Sequence, residues 1–372
     1  MTFAEPVWQE GKAQFEVGSA FFRSTSRVAR DLGVLAAAIY KAETGQLRVL
    51  EGMAGCGVRS LRYTLEANAD FVWANDADPD LAATLQHNLT NQLALPRFKI
   101  SHQDAQQQLL ACAQQQDYYD LVDLDCFGNS AAYLSSCLGA TRLGGLIYLT
   151  STDGRSISGR DPAASLRLWG GYARSHPAAQ EQGLRLQIGG LLQQAGRFGC
   201  GIQPLFSLFQ GQTYRVMVRL VKHPWQPEQF GFLGYCHGCG EFQTVSWRQF
   251  HCVRCFSPSC RRSPILSGPL WLGQLHDPGF LSRMAAQAKT WDWQKCWALL
   301  QIMQAEASLP PYFYPLAEIG RRGKIDIPNR DRLLQALQNQ GYRASATHTN
   351  PQAVKTDATL AECISLSRQL SQ

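Results

Sequence analysis

Between residues 46 and 152, short and nearly continuous apolar runs alternate with amphipathic stretches. The runs Leu47–Glu51, Phe71–Asp76, Phe98–Asp104, Tyr119–Asp125 and Leu146–Ser151 predict strands covered on both faces, as in a parallel sheet. The segments Val58–Glu66, Asp80–Asn91, Gln106–Gln116 and Ser130–Leu138 carry one apolar face each and predict helices. Strand–helix alternation of this kind builds a doubly wound α/β sheet. A further helix is expected over Ala178–Ala195, then two strands, Pro204–Phe209 and Tyr214–Val221. Gln210-Gly211-Gln212 between them predicts a tight antiparallel hairpin.

The texture changes after that hairpin. His223–Phe230, with Pro224 and Pro227, reads as a linker, so a boundary is expected near residue 224, dividing 1–224 from 225–372. The second part holds a cysteine cluster at 236–255, an apolar, Trp-rich stretch at 265–305 and a basic segment at 320–332. At 372 residues, 45% hydrophobic and 17% charged, the chain has material for two or three domains. No apolar run approaches the ~20 residues of a membrane span. The start, MTFAEPVWQEGK, lacks the apolar core of a secretory signal, so a cytoplasmic setting is expected. Twelve cysteines there argue for reduced thiols and metal rather than disulfides. A net charge of +6 permits a polyanionic partner without requiring one.

The chemistry gathers at the strand ends. The first strand leads into Glu51-Gly52-Met53-Ala54-Gly55-Cys56-Gly57, small residues that allow a tight turn and close approach to a ligand. The second ends in Asn75-Asp76 and the third in Gln103-Asp104-Ala105, where acids can meet ribose hydroxyls and an adenine amino group. This fits S-adenosylmethionine and NAD equally, and each acid alone also fits a helix cap. The fourth strand breaks the tie with Asp123-Leu124-Asp125-Cys126-Phe127-Gly128. Hydride transfer has no use for an acid, a spacer and a ring at that point. Alkylation of a base's amino group does. The lone pair of such an amine is delocalised into the ring, and a carboxylate accepting its N–H returns electron density. The ring can stack on an extruded base.

Cys236-His237-Gly238-Cys239 and Cys252-Val253-Arg254-Cys255 form a CxxC-x12-CxxC pattern. Two such pairs predict a structural, tetrahedral zinc site on Cys236, Cys239, Cys252 and Cys255, with Cys260 a spare.

The chain resembles the tRNA (guanine-26,N2) dimethyltransferase family. The resemblance is carried by Arg30-Asp31-Leu32, Gly57-Val58-Arg59-Ser60-Leu61-Arg62-Tyr63, Asn75-Asp76, Asp104-Ala105, the Asp123–Gly128 run, Gly268-Pro269-Leu270-Trp271, Pro310–Tyr314, Ser345–Pro351 and Lys355-Thr356-Asp357. It implies a class I (Rossmann-like) methyltransferase sheet whose last two strands form the hairpin, plus a smaller α+β C-terminal domain with the four-cysteine zinc site. It implies S-adenosylmethionine as donor and tRNA as substrate; no obligate protein partner is inferred. By the same resemblance Arg30, Arg59, Asp76, Asp104 and Ala105 contact the cofactor, Asp125 is the catalytic carboxylate, and Phe127 belongs to the base pocket. Phe21 or Phe22 would supply the opposite stacking face.

Three departures stand out. Cys126 replaces the family's usual proline, implying a less constrained loop. Ala29 replaces an asparagine before Arg30, and Phe21-Phe22-Arg23-Ser24 replaces an aromatic-Asn-Pro run. A nucleic-acid surface is expected from Arg155, Arg160, Arg167 and Arg174, from Arg248, Arg254, Arg261 and Arg262, and from Arg321, Arg322, Lys324, Arg330 and Lys355. His348 and Asn350 would either shape the pocket floor or cap a turn. The rival readings are amino-methylation of another RNA or of DNA, a non-catalytic zinc-containing RNA-binding protein, and an NAD-dependent enzyme.

Overall fold

The computed structural model describes residues 6–222, 226–255, 257, 260 and 262–370, apart from the side chains of His251 and Cys252. The expected boundary at residue 224 lies outside these described residues. A hairpin of β1 (Val7–Glu10) and β2 (Ala13–Glu16) comes first, followed by helix Arg27–Thr44. The sheet follows: β3 (Arg48–Glu51), β4 (Phe71–Asn75), β5 (Phe98–Ser101), β6 (Tyr119–Asp125), β7 (Thr141–Ser151), β8 (Gly201–Gln210) and β9 (Thr213–Val221).

Its order is β5-β4-β3-β6-β7-β9-β8. The first five strands are parallel; β9 runs antiparallel to both β7 and β8. The two-residue turn closing β8 on β9 has Gly211 and Gln212 at φ +56° and +67°, the left-handed pair that matches strand twist. The strand order reverses between β3 and β6, and a crevice opens beyond their carboxyl ends. Gly57, at φ +82°, starts helix Val58–Leu65; a side chain there would collide with Leu85 and Leu89.

Helices Ala105–Gln115, Leu134–Ala140 and Ala179–Arg197 cover one face of the sheet. Helix Arg27–Thr44 helps cover the other, burying eleven of its eighteen residues. The C-terminal part contributes β10 (Phe230–Tyr235), β11 (Phe242–Val245) and β12 (Ile265–Trp271) as one antiparallel sheet, and β13 (Tyr314–Pro315), β14 (Ala344–Thr347) and β15 (Asn350–Thr356) as another. The core does not stop between the two parts. Leu184, Leu186 and Leu191 of the sheet-covering helix share an apolar cluster with Phe230, Leu270, Trp271 and Phe313. Phe280 and Met303 of the C-terminal helices Pro278–Thr290 and Gln294–Glu306 pack with Leu35 and Tyr40. Among the described residues, no helix is long and apolar enough to cross a membrane.

Candidate active site

One cavity of about 630 Å³ opens at the carboxyl ends of β3 to β6. Every residue expected to hold cofactor or base lines it: Phe21, Phe22, Arg30, Arg59, Asp76, Asp104, Ala105, Asp125 and Phe127. Local folding places each one. The Gly52 N–H donates to the Asp123 carbonyl at 3.0 Å and the Ala54 N–H to the Asn75 carbonyl at 2.8 Å, so the first loop folds back over the strand ends. Asp76 holds that loop by accepting from the Gly55 N–H at 2.7 Å. Asp104 caps helix Ala105–Gln115, one oxygen accepting from Gln106 and Gln107 N–H. The cap does not take the residue out of the cavity, since its carboxylate remains exposed at the rim.

Asp125 sits where this cavity meets a second one of about 280 Å³. Phe127, Phe21 and Arg30 also line both cavities. Phe127 is 89% exposed and Phe21 74%. Phe22 differs. It packs edge-on against Trp8 and Phe15 at 5.3 and 5.2 Å between centroids; both rings carry a guanidinium, Arg30 over Phe22 and Arg23 over Phe21, so it is exposure that makes Phe21 the more accessible ring.

The loop carrying Phe127 is pinned, contrary to what Cys126 in place of proline suggests. The Cys126 thiol donates to the Thr150 carbonyl at 2.9 Å. The Gly128 N–H donates to Thr152 Oγ1 at 2.7 Å, and the Thr152 N–H returns to the Gly128 carbonyl at 2.8 Å. These bonds supply the rigidity that a proline ring would otherwise provide.

The electrostatics centre on Arg59. Its Nη2 donates to Asp125 Oδ2 at 2.6 Å and its Nη1 to Asp123 Oδ2 at 3.0 Å. Asp123 also accepts from the Tyr63 hydroxyl at 2.5 Å. Burial alone would raise the Asp125 carboxyl, but the Arg59 charge, then that of Arg215, overcomes it and holds the group at about 2. Burial pushes the neighbouring Asp123 upward despite Arg59. Glu51, fully buried and next to Asp123, is driven up to about 8 by desolvation and then by that like charge; the Ser60 hydroxyl donates to it. Three carboxylates within one site thus have different protonation preferences, set by their surroundings.

Two expected cofactor arginines already have protein partners. Arg30 grips Glu10 through Nε and Nη2 at 2.7 and 2.5 Å, and Arg59 is bound as described. Glu10, itself paired with Arg62 at 2.7 Å, is missed by sequence reasoning, because nothing in a local pattern marks the partner of an arginine twenty residues away. Glu51 and Arg215 are also missed as site residues. The position of Glu51 at the very end of a strand, before a small-residue loop, is the available signal.

Elsewhere the structure redistributes several expected residues. The Sγ atoms of Cys236, Cys239, Cys255 and Cys260 lie within 4.8 Å of one another. Cys260, expected to be a spare, is the fourth sulfur of this group among the described residues. Cys252 ends the turn Trp247–Cys252, and its side chain lies outside the described residues. The Cys260 sulfur lies 3.5 Å from that of Cys236, and those of Cys239 and Cys255 are 3.3 Å apart. Four sulfurs at this spacing suit a tetrahedral zinc with bonds of about 2.3 Å. Arg322 donates to the carbonyls of His237 and Gly238 at 3.2 and 2.8 Å, so it braces the first knuckle instead of facing solvent.

Lys355 is likewise withdrawn from any surface. It is buried, with its ammonium 2.8 Å from Glu181. His348 belongs to the same interior network. It pairs with Glu306, which lies 3.6 Å from both Lys355 and His276. It therefore does not shape the floor of either cavity. Arg155, Arg160, Arg167, Arg174, Arg248, Arg254 and Arg262 are exposed as expected; Arg261 lies outside the described residues.

A model of the family described as N2,N2-dimethylguanosine tRNA methyltransferase matches residues 8–368. The chain belongs to this family. The tRNA (guanine(26)-N(2))-dimethyltransferase of Pyrococcus horikoshii is 27% identical over 379 residues, spanning 94% of each chain. That of Thermococcus kodakarensis is 28% identical over 358 residues, spanning 91% of this chain and 90% of its own. Trm1 from Pyrococcus horikoshii, solved with S-adenosyl-L-methionine, superposes with a TM-score of 0.84 at 26% identity, covering 97% of this chain and 99% of that one. The family membership makes this chain an S-adenosylmethionine-dependent methyltransferase and excludes the NAD and non-catalytic readings.

Proposed function

We propose that the chain methylates the exocyclic N2 of guanine 26 in tRNA, giving the N2,N2-dimethyl product in two rounds. One observation carries this reading: Asp125 and Phe127 stand at the junction of two cavities, one fit for a donor and one for a base. The larger cavity suits S-adenosylmethionine. Its rim offers the carboxylates of Asp76 and Asp104 to ribose and adenine donors, and its acidic wall suits a cationic ligand. Zinc would be held by the four thiolates at 236, 239, 255 and 260 and would serve structure, since they leave no open ligand position.

When bound, S-adenosylmethionine supplies a methyl group made electrophilic by its sulfonium. The protein's own residues do the rest. Phe127 and Phe21 receive the displaced base, whose extrusion costs a few kcal/mol. Asp125 accepts hydrogen bonds from the guanine amino group and turns its lone pair toward the donor. With its carboxyl near 2, Asp125 is a weak base. A weak base is sufficient. The methylated, positively charged amine is strongly acidic and releases its proton readily; what it requires beforehand is a fixed negative charge. Arg59 keeps that charge in place and oriented.

Residues 1–224 would carry the transfer and 225–372 would grip tRNA through exposed arginines and the knuckle region. The reduced thiols fit a cytoplasmic setting. The test is mass spectrometry of nucleosides and of nuclease fragments from tRNA incubated with enzyme and labelled donor, the first giving the product and the second its position. Label in N2-methylated guanosine at position 26 is expected; label confined to another nucleoside would reject the assignment.

A further inference from the structure

Asp125, Thr150 and Arg215 are paired in one row across β6, β7 and β9. Residues in register on adjacent strands project from the same face of a sheet. All three line the smaller cavity, beside Phe21 and Phe127.

Arg215 is anomalous there. Its side chain is only 5% exposed, yet its nearest charge partner, Asp125 Oδ1, is 3.9 Å away, beyond hydrogen-bonding distance. Its Nε is buried without a partner. Arg59, equally buried, satisfies two aspartates. A buried N–H with no acceptor is costly to keep. An arginine can only donate, so the missing partner is an acceptor.

We propose that Arg215 reads O6 of the target guanine and thereby selects guanine over bases with an amino group at C6. The inference rests on the base-methylation reading above. Along the edge of guanine, the 2-amino group, the N1–H and O6 stand in the order donor, donor, acceptor. On the protein, Arg59 occupies Asp125 Oδ2, leaving Oδ1 on the side facing Arg215. Carboxylate and guanidinium side by side present acceptor then donor, which complements that edge. A base with an amino group at C6 would set N–H against N–H at Arg215, leaving both buried donors unpaired. The lowered basicity of the guanidinium, caused by its burial, fits a group waiting for its partner.

The experiment uses full-length enzyme and tRNA carrying guanosine, 6-thioguanosine or 2,6-diaminopurine at the target position. 6-Thioguanosine keeps the 2-amino group and N1–H and replaces O6 by a larger, weaker acceptor; the same base on Arg215→Met controls for its size and for its more acidic N1–H. For the native enzyme kcat/KM should fall roughly 10-fold or more with the thio base, as expected for a hydrogen bond to a charged group. In Arg215→Met this difference should vanish. Arg215→Gln, whose side-chain carbonyl can accept from an amino group, should favour 2,6-diaminopurine relative to the native enzyme. Calorimetric donor binding reports whether each variant is folded. A native enzyme indifferent to the thio base would overturn the proposal, whatever the variants do. So would an Arg215→Met variant that slows on both bases equally, since that marks an arginine that merely positions Asp125. Failure of the native enzyme to label N2 of the unmodified tRNA would instead sink the base-methylation reading itself.

Discussion

Arg59 bridges Asp123 and Asp125, two alternate residues of one strand, through its two terminal nitrogens at 3.0 and 2.6 Å. The helix that carries Arg59 begins directly after the small-residue loop, so that loop and the Asp125 carboxylate are mechanically joined. Asp123 is the buried anchor of the arrangement and Asp125 the part exposed to ligand: their side chains are 0% and 30% exposed. Without Arg59, Asp123 would be left with only the Tyr63 hydroxyl against its buried charge, and breaking a buried pair typically costs about 3–5 kcal/mol.

Asp125→Asn preserves shape and removes the charge. Transfer should fall by roughly 10²–10⁴-fold, the usual range for a positioned carboxylate, while donor affinity stays within about threefold. Labelled-methyl transfer and calorimetry measure the two separately. Because Arg59 and Arg215 hold the native carboxyl at about 2, the native enzyme should show no acid limb attributable to Asp125 above pH 4, taken as about two units over that value. Near-normal turnover by the asparagine variant would remove Asp125 from the mechanism.

Glu51 provides a pH signature. Its folded carboxyl, near 8, lies above the ordinary 4.5, so the folded state keeps a proton that the unfolded chain has already lost. Stability contributed by this group is therefore present below the unfolded value and is lost as pH rises through 8. Relative to Glu51→Gln, the native protein should lose up to about 1.4 kcal/mol per pH unit within that window. Urea unfolding of both proteins at pH 5.5, 7 and 8.5 gives the comparison, and parallel stability curves would contradict it.

Phe21→Ala and Phe127→Ala each remove one ring from the smaller cavity. Stacking on an aromatic side chain is worth about 1–3 kcal/mol per base, so kcat/KM for tRNA should fall roughly 5- to 150-fold in each. Phe22→Ala should act mainly through stability, since that ring packs on Trp8 and Phe15. Melting temperature alongside kinetics separates the two effects.

Cys260→Ser should lower zinc content and melting temperature, because its thiol completes the group with Cys236, Cys239 and Cys255. Cys252→Ser should retain one zinc per chain. Elemental analysis of purified variants decides this, and loss of zinc from the Cys252 variant with retention in the Cys260 variant would restore the simpler CxxC pairing.

The sequence by itself determined the strand and helix series from residue 46 to 151, the long helix and hairpin that end the sheet, the acids at successive strand ends and the Asp125–Phe127 pair; it left 155–174 as loop, where helix Pro162–Trp169 stands. These are local properties: burial on two faces, on one face or at a turn leaves a period that a short window can show. Helix Arg27–Thr44 precedes that series and was not among the expected elements, although it carries a marked apolar face. Only the tertiary structure decided who pairs with whom. Glu10 meets Arg30 and Arg62, Lys355 meets Glu181 across 174 residues, and Cys260 meets Cys236 across 24. Arg215 acquires its place only through strand register with Asp125, ninety positions earlier. The physical reason is common to all of them. A buried charge or thiolate must find a partner wherever packing brings one, and that distance in space leaves no mark in the spacing of residues along the chain.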